Sequence, residues 1–137
     1  MPIIHFINSK TQTAGGMKNV LAYVTRKEKT ESEDKQYVTS LNCNTATAYE
    51  EMLATKNAYH KNSGRMYYHL VQSFPKGADV DPVTAHSAAL KLAEYFSGHE
   101  VLVCTHSDRE HIHSHFIINS VSFDTGKKLH IAKDQLR

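Results

Sequence analysis

The chain has 137 residues with a formal net charge of +2; 40% of its residues are hydrophobic and 22% are charged. This composition is typical of one globular domain with its own core, and so small a charge does not by itself indicate a nucleic-acid partner. The 2 cysteines exclude a disulfide framework, and no segment has the pattern of a signal peptide or the length of a transmembrane helix. We therefore expect a cytoplasmic protein without a membrane partner. Because residues 1–137 stop without a closing element, we also expect one domain cut from a longer protein.

The predicted elements alternate between strands and helices along the chain. Continuous or alternating apolar runs predict strands, whereas apolar residues spaced three or four apart predict helices. Asp81 followed by Pro82 is typical of a helix start, because the carboxylate can cap the helix and proline suits its first turn. In chain order, the pattern predicts a strand at 3–8, a helix at 17–25, a solvated loop at 28–35, a strand at 37–43, a helix at 45–59, a strand at 66–74, a helix at 81–96, and strands at 101–105 and 111–123.

The short connections between these elements favour an α+β fold. They predict a single, mostly antiparallel sheet of about five strands, with helices packed mainly on one face. An uncovered sheet face is a common binding surface, and we expect this one to carry the histidines described below.

Tyr23 lies in an unusual position on the first predicted helix. On a helical wheel the apolar residues fall in one arc, and Tyr23 lies outside that arc beside Arg26 and Lys27. We therefore expect its hydroxyl to reach a cleft or the solvent, flanked by cations. A tyrosine without a function, lying on the flank of the helix, fits the same pattern.

Histidines are concentrated near the end of the chain, where four of the 10 fall within ten residues. His111, His113 and His115 are spaced two apart, so a strand would present all three on one face, with His106 just before it. Neutral imidazole is the commonest metal-ligating side chain, and Asp108 is close enough in sequence to orient one of the rings. Because the paired cysteines of a structural zinc site are absent, we predict a catalytic metal site.

A histidine metal site and a tyrosine flanked by cations together favour phosphoryl transfer. A divalent metal can hold the non-bridging oxygens of a phosphodiester, and a tyrosine activated by nearby positive charge can attack the phosphorus. Such an attack stores the energy of the broken bond in a covalent ester, which suits an enzyme that later reseals the strand.

The histidine region resembles motif III of MOBP-type relaxases, which are mobilisation nucleases of the HUH endonuclease superfamily. Residues 16–24 resemble the nucleophile motif of that family, and residues 69–74 resemble its middle motif. The resemblance covers nearly the whole chain in order, and it implies the palm-like sheet of an N-terminal relaxase domain. The positions that match motif III are His106, Asp108, His111, His113, His115 and Asn119.

The resemblance implies that Tyr23 attacks single-stranded or hairpin DNA at the nic site of an origin of transfer, for conjugation. The products would be a 5′-phosphotyrosine and a free 3′-hydroxyl. Asp108 would assist by orienting a ligand imidazole. Accessory DNA-processing proteins and the conjugation coupling machinery are the further partners that the family implies.

The resemblance also implies that His106, His113 and His115 bind the metal. Ser114 replaces the hydrophobic residue that the family usually has between the last two histidines, which leaves His111 with His113 as a competing ligand pair. If His106, His113 and His115 bind the metal, His111 would instead orient one of the ligands or contact DNA. Mn²⁺ or Mg²⁺ is the functional ion that the family implies, although imidazole ligands also suit Zn²⁺, Ni²⁺, Co²⁺ or Cu²⁺.

DNA contacts are expected from cationic and polar side chains near the three motifs. His69 is compatible with either a structural or a functional role. The residues predicted to contact DNA are Arg26, Lys27, Gln72, Ser73, Asn119, Lys127 and Lys128.

Three other functions are compatible with parts of this pattern. A replication initiator of the same superfamily usually carries its tyrosine after the histidine motif, whereas Tyr95 is the last tyrosine here. A metal-dependent hydrolase would use bound water and leave Tyr23 without a role. A non-catalytic DNA-binding module would use the histidines only to hold an ion.

Overall fold

A computed structural model of the protein describes residues 3–7, 12–26, 31–32, 35–75, 80–107 and 112–130. The strands are β1 (Ile3–Phe6), β2 (Glu31–Ser32), β3 (Lys35–Gln36), β4 (Val38–Leu41), β5 (Tyr67–Phe74), β6 (Val101–Ser107) and β7 (Ile112–Asn119), and the α-helices are α1 (Ala14–Val24), α2 (Ala48–Ala58) and α3 (Pro82–Ala93). The main sheet has five strands in the order β1-β5-β7-β6-β4, and every neighbouring pair is antiparallel. A second, two-stranded sheet of β2 and β3 falls mostly in the segment expected to be a loop.

Among the three described α-helices, α3 begins where its capping residues predict, whereas α1 begins at Ala14 rather than at residue 17, and α2 begins at Ala48, after a short 3₁₀ turn. The Asp81 carboxylate accepts a hydrogen bond from the Thr84 backbone N–H at 2.8 Å, as predicted for the start of α3. At the start of α1, the Thr13 hydroxyl oxygen accepts a hydrogen bond from the Gly16 N–H at 3.0 Å. Among the described residues, no helix has the length and apolar character needed to cross a membrane. The α+β class and the antiparallel five-stranded sheet are confirmed.

The helices differ from the expectation in their placement, because both faces of the sheet are covered. One face packs against α3 through Ala89 and Ala93. The other face packs against α1 and α2 through Met17 and Met52. The physical reason is that β6 and β7 are apolar on both sides, and each apolar face must be buried against another element. The buried strand residues are Tyr67, Leu102, Cys104 and Ile117 on the α1 side, and Leu70, Val101, Val103, Phe116 and Ile118 on the α3 side.

A buried polar network lies between α2 and the start of β6. The Lys56 side chain has no exposed surface, and its Nζ has no hydrogen-bond partner among the described residues. The Glu100 carboxylate accepts hydrogen bonds from the Thr55 hydroxyl and, at 2.9 Å, from the Asn119 amide. Burial lowers the pKa of Lys56 to about 7, although the Glu100 charge acts in the opposite direction.

The depressed pKa of Lys56 predicts a pH-dependent stability. Between pH 7 and the ordinary lysine value of 10.5, the unfolded chain binds more protons than the native protein, so stability rises with pH. From pH 7 to about 8.5 we expect the free energy of unfolding to rise with a slope that approaches about 1.4 kcal/mol per pH unit. Urea unfolding at several pH values measures this slope.

The variant Lys56→Met should remove the slope, whereas Lys91→Met, on the exposed side of α3, should retain it. The pH range of the measurement ends below pH 9, because Cys43 and Cys104 would begin to ionise in the unfolded chain there and add their own pH dependence. If the slope persisted in Lys56→Met, the pH dependence of stability would not come from Lys56.

Candidate functional site

Three histidines meet on one face of the sheet, where β6 ends and β7 begins. His106 lies directly across from His113, and His115 lies two residues further along β7. Because opposite residues of an antiparallel pair share a face, all three side chains project from the same side. The ring centroids of His106 and His115 are 4.4 Å apart. Asp108 and His111 lie outside the described residues.

His69 on β5 joins this group from the neighbouring strand. Its Nε2 lies 2.8 Å from Nδ1 of His115, and the two ring centroids are 5.1 Å apart. Burial, with smaller contributions from His106 and His5, lowers the pKa of His69 to about 4. His69 is therefore neutral near pH 7. A single sequence does not show which strands pair, so the sequence alone left its role open.

The tyrosine helix ends against the histidine face. His106 Nε2 donates a hydrogen bond to the carbonyl oxygen of Val24 at 2.8 Å. Tyr23 is the preceding residue, and its side chain is 44% exposed. The guanidinium carbon of Arg26 lies 5.2 Å from the centre of the Tyr23 ring, so one of the expected cations is adjacent. Lys27 lies outside the described residues.

The histidines have the donor chemistry of a metal site. Within the described part of the chain, no three His, Cys, Asp or Glu side chains are already arranged to hold an ion. The fit to a divalent metal therefore rests on the type of donor atom, because neighbouring strands present three imidazoles on one face. Two of those rings, in His106 and His115, also have one nitrogen oriented by a hydrogen bond, which is usual for ligating histidines.

The two polar residues predicted on β5 lie on opposite faces of the sheet. Ser73 is directly across from His113 and shares the histidine face. Gln72 pairs with Ser114 on the opposite side, is 5% exposed, and its Oε1 has no hydrogen-bond partner among the described residues. The structure therefore places Ser73 in the site, whereas Gln72, predicted to contact DNA, is turned away from it.

The same alternation explains the serine between His113 and His115. Ser114 points to the α3 face, where its hydroxyl lies 2.9 Å from the Thr105 hydroxyl. His86 of α3 lies 2.7 Å from the same Thr105 oxygen and 2.8 Å from the Thr39 hydroxyl. A polar residue is stable at this buried position because α3 supplies a polar partner network.

The remaining predicted DNA contacts lie at the other end of the sheet. Asn119 has no exposed surface, and its amide donates to Glu100 and to the Met52 carbonyl. A side chain without exposed surface cannot contact DNA in this fold, so that prediction is corrected. Lys128 forms an isolated β-bridge with Val121, two residues beyond the end of β7, and its side chain donates a hydrogen bond to the Ser63 carbonyl at 2.5 Å. Lys127 is exposed. The six residue-to-residue steps from His113 to Asn119 span roughly 20 Å.

Comparisons with known proteins identify the family to which the chain is similar. Residues 23–137 match the family model described as relaxase, MobA/VirD2-like, nuclease domain. A Staphylococcus aureus protein named protein rlx is 35% identical over 126 residues, which cover 91% of this chain and 38% of the relative. Another S. aureus protein rlx is 38% identical over 98 residues, covering 71% of this chain and 29% of the relative.

A further relative, matched over a shorter segment, is the group II intron-interrupted relaxase LtrB of Lactococcus lactis subsp. cremoris. It is 39% identical over 70 residues, which cover 50% of this chain and 12% of the relative. This chain therefore spans well under half the length of each relative. No solved structure matches the chain at a significant level.

Proposed function

Because the chain belongs to the MobA/VirD2-like family of relaxase nuclease domains, we propose that it nicks one strand of DNA at an origin of transfer. The observation that carries the proposal is the hydrogen bond from His106 to the Val24 carbonyl, which joins the tyrosine helix to the histidine face. Similarity to a protein that is itself named a relaxase supports the proposal that this chain nicks DNA.

Tyr23 is the nucleophile in this proposal. Its hydroxyl oxygen forms a bond to phosphorus, and the bond from phosphorus to the 3′-oxygen breaks. The products are a 5′-phosphotyrosine and a 3′-hydroxyl, which takes up a proton equivalent to the one that the phenol loses. Arg26 lies over the Tyr23 ring, and its positive charge attracts the approaching phosphate.

The metal ligands in the proposal are His106, His113 and His115, with Mn²⁺ or Mg²⁺ as the functional ion. When bound, a divalent ion supplies positive charge to the non-bridging phosphate oxygens. The protein contributes the orientation of the rings, through Val24 for His106 and through His69 for His115. Ser73 lies across from His113, which supports a hydrogen bond from its hydroxyl to a DNA phosphate as a further part of the proposal.

Covalent capture tests the nucleophile. With a labelled single-stranded oligonucleotide containing the nic sequence and Mn²⁺, we expect a protein–DNA adduct on denaturing electrophoresis. Tyr23→Phe should abolish the adduct, since the hydroxyl is lost. Tyr95→Phe, at a tyrosine that is 79% exposed, should retain it.

Three results would contradict this assignment. An adduct that persists in Tyr23→Phe would identify another nucleophile. Cleavage by the unaltered protein without an adduct would indicate hydrolysis by water. Binding without cleavage would indicate a non-catalytic DNA-binding module.

Isothermal titration calorimetry with Mn²⁺ tests the proposed metal ligands. We expect one Mn²⁺ per chain at pH 7.5, with weaker binding below about pH 6, because protons compete for the imidazole lone pairs. His113→Ala should abolish binding, whereas His130→Ala, at an exposed histidine, should retain it. Absence of any uptake above pH 7 would overturn the metal assignment.

Ser73 and Gln72 form a matched pair for testing the DNA-binding face. Ser73→Ala should weaken single-stranded DNA binding about three- to tenfold, the usual effect of one lost hydrogen bond. Gln72→Met should leave the affinity unchanged, because this side chain points toward the α3 face. Fluorescence anisotropy measures both affinities, and equal losses in the two variants would contradict the assignment of faces.

A further inference from the structure

His69 contacts His115 through a specific hydrogen bond. The residue directly across from His69 is Ile117, whereas His115 lies across from Val71. The 2.8 Å contact between the two histidines is therefore diagonal, and it requires both rings to turn toward each other. His69 is only 6% exposed, so its ring is held by the surrounding core.

The direction of this hydrogen bond determines which nitrogen of His115 carries the lone pair. A bond between two neutral imidazoles needs one N–H donor and one acceptor nitrogen. If His115 Nδ1 donates to His69 Nε2, the lone pair of His115 is on Nε2. If His69 Nε2 donates, the lone pair of His115 is on Nδ1 and is already used in the bond.

We propose that His69 is a positioning residue, which accepts a hydrogen bond from Nδ1–H of His115 and so keeps the lone pair of His115 on Nε2 for the metal. The proposal rests on the proposed function for its metal step. A ligating histidine usually donates its second N–H to a carboxylate or a carbonyl. Here the Val24 carbonyl accepts this hydrogen bond from His106, and the buried imidazole of His69 accepts it from His115.

Two substitutions separate positioning from simple packing. His69→Phe fills a similar volume without an acceptor atom, whereas His69→Gln retains an acceptor oxygen at the end of the side chain. If His69 acted only by packing, His69→Phe would be the milder change. If it acts as an acceptor, His69→Gln should be the milder change.

The first measurement is the tautomer of His115, by ¹⁵N–¹H correlation spectroscopy of the metal-free protein at pH 7.5. We expect the Nδ1–H form in the unaltered protein and in His69→Gln, and a mixture of tautomers in His69→Phe. An Nε2–H form in the unaltered protein would overturn the proposal, even if a variant failed to fold.

The second measurement is Mn²⁺ affinity by calorimetry. We expect about 10- to 100-fold weaker binding in His69→Phe and near-normal binding in His69→Gln. Normal binding in His69→Phe would overturn the proposal. If the unaltered protein bound no Mn²⁺, the metal function would fail, and the tautomer measurement would still decide whether His69 positions His115.

Discussion

The hydrogen bond from His106 to the Val24 carbonyl connects the tyrosine helix with the histidine face, the two parts of the molecule on which the proposed chemistry depends. The last carbonyls of an α-helix have no partner within the helix, so a partner must come from elsewhere. At the end of α1 that partner is a histidine of β6, at 2.8 Å. The Val24 side chain has no exposed surface and packs in the same cluster as Cys104, so packing and hydrogen bonding fix the helix end together. Tyr23, one residue earlier, is therefore held at the boundary between core and open surface.

The two-sided burial of the sheet determines where polar chemistry can occur on it. The α1 face is apolar around Leu102, Cys104 and Ile117, and the half-buried histidines begin where that apolar region ends. Directly behind them, on the α3 face, hydroxyl groups of Thr105 and Ser114 are connected to His86. Because side chains on both faces of these strands have defined partners, the backbone beneath the histidines is held in place, and a site on such strands can be oriented closely.

The sequence predicted the structural features that depend on the local spacing of residues, and it left open the features that depend on which strands pair in the sheet. The spacing of two residues placed His113 and His115 on one face, and the caps placed the start of α3. Neighbouring strands in the order β1-β5-β7-β6-β4 are not consecutive along the chain. The spacing of residues in the sequence therefore could not show that His69 contacts His115 or that Lys128 lies away from the histidines. Asn119 illustrates the limit, because a motif position close in sequence to the histidines lies at the far end of the same strand.

Electrostatics explains why such a site would require a cation to hold DNA. Proton uptake by one imidazole of the cluster disfavours uptake by its neighbours, and His106 and His5 both contribute to the lowered pKa of His69. His69 therefore resists acquiring positive charge from protons near pH 7. A histidine must be neutral to offer the lone pair that a divalent ion requires. Arg26 contributes its charge at the tyrosine rather than at the histidines. Phosphate binding on the histidine strands would thus depend on charge supplied by an ion. At the end of α1, phosphate binding would instead depend on the charge of Arg26.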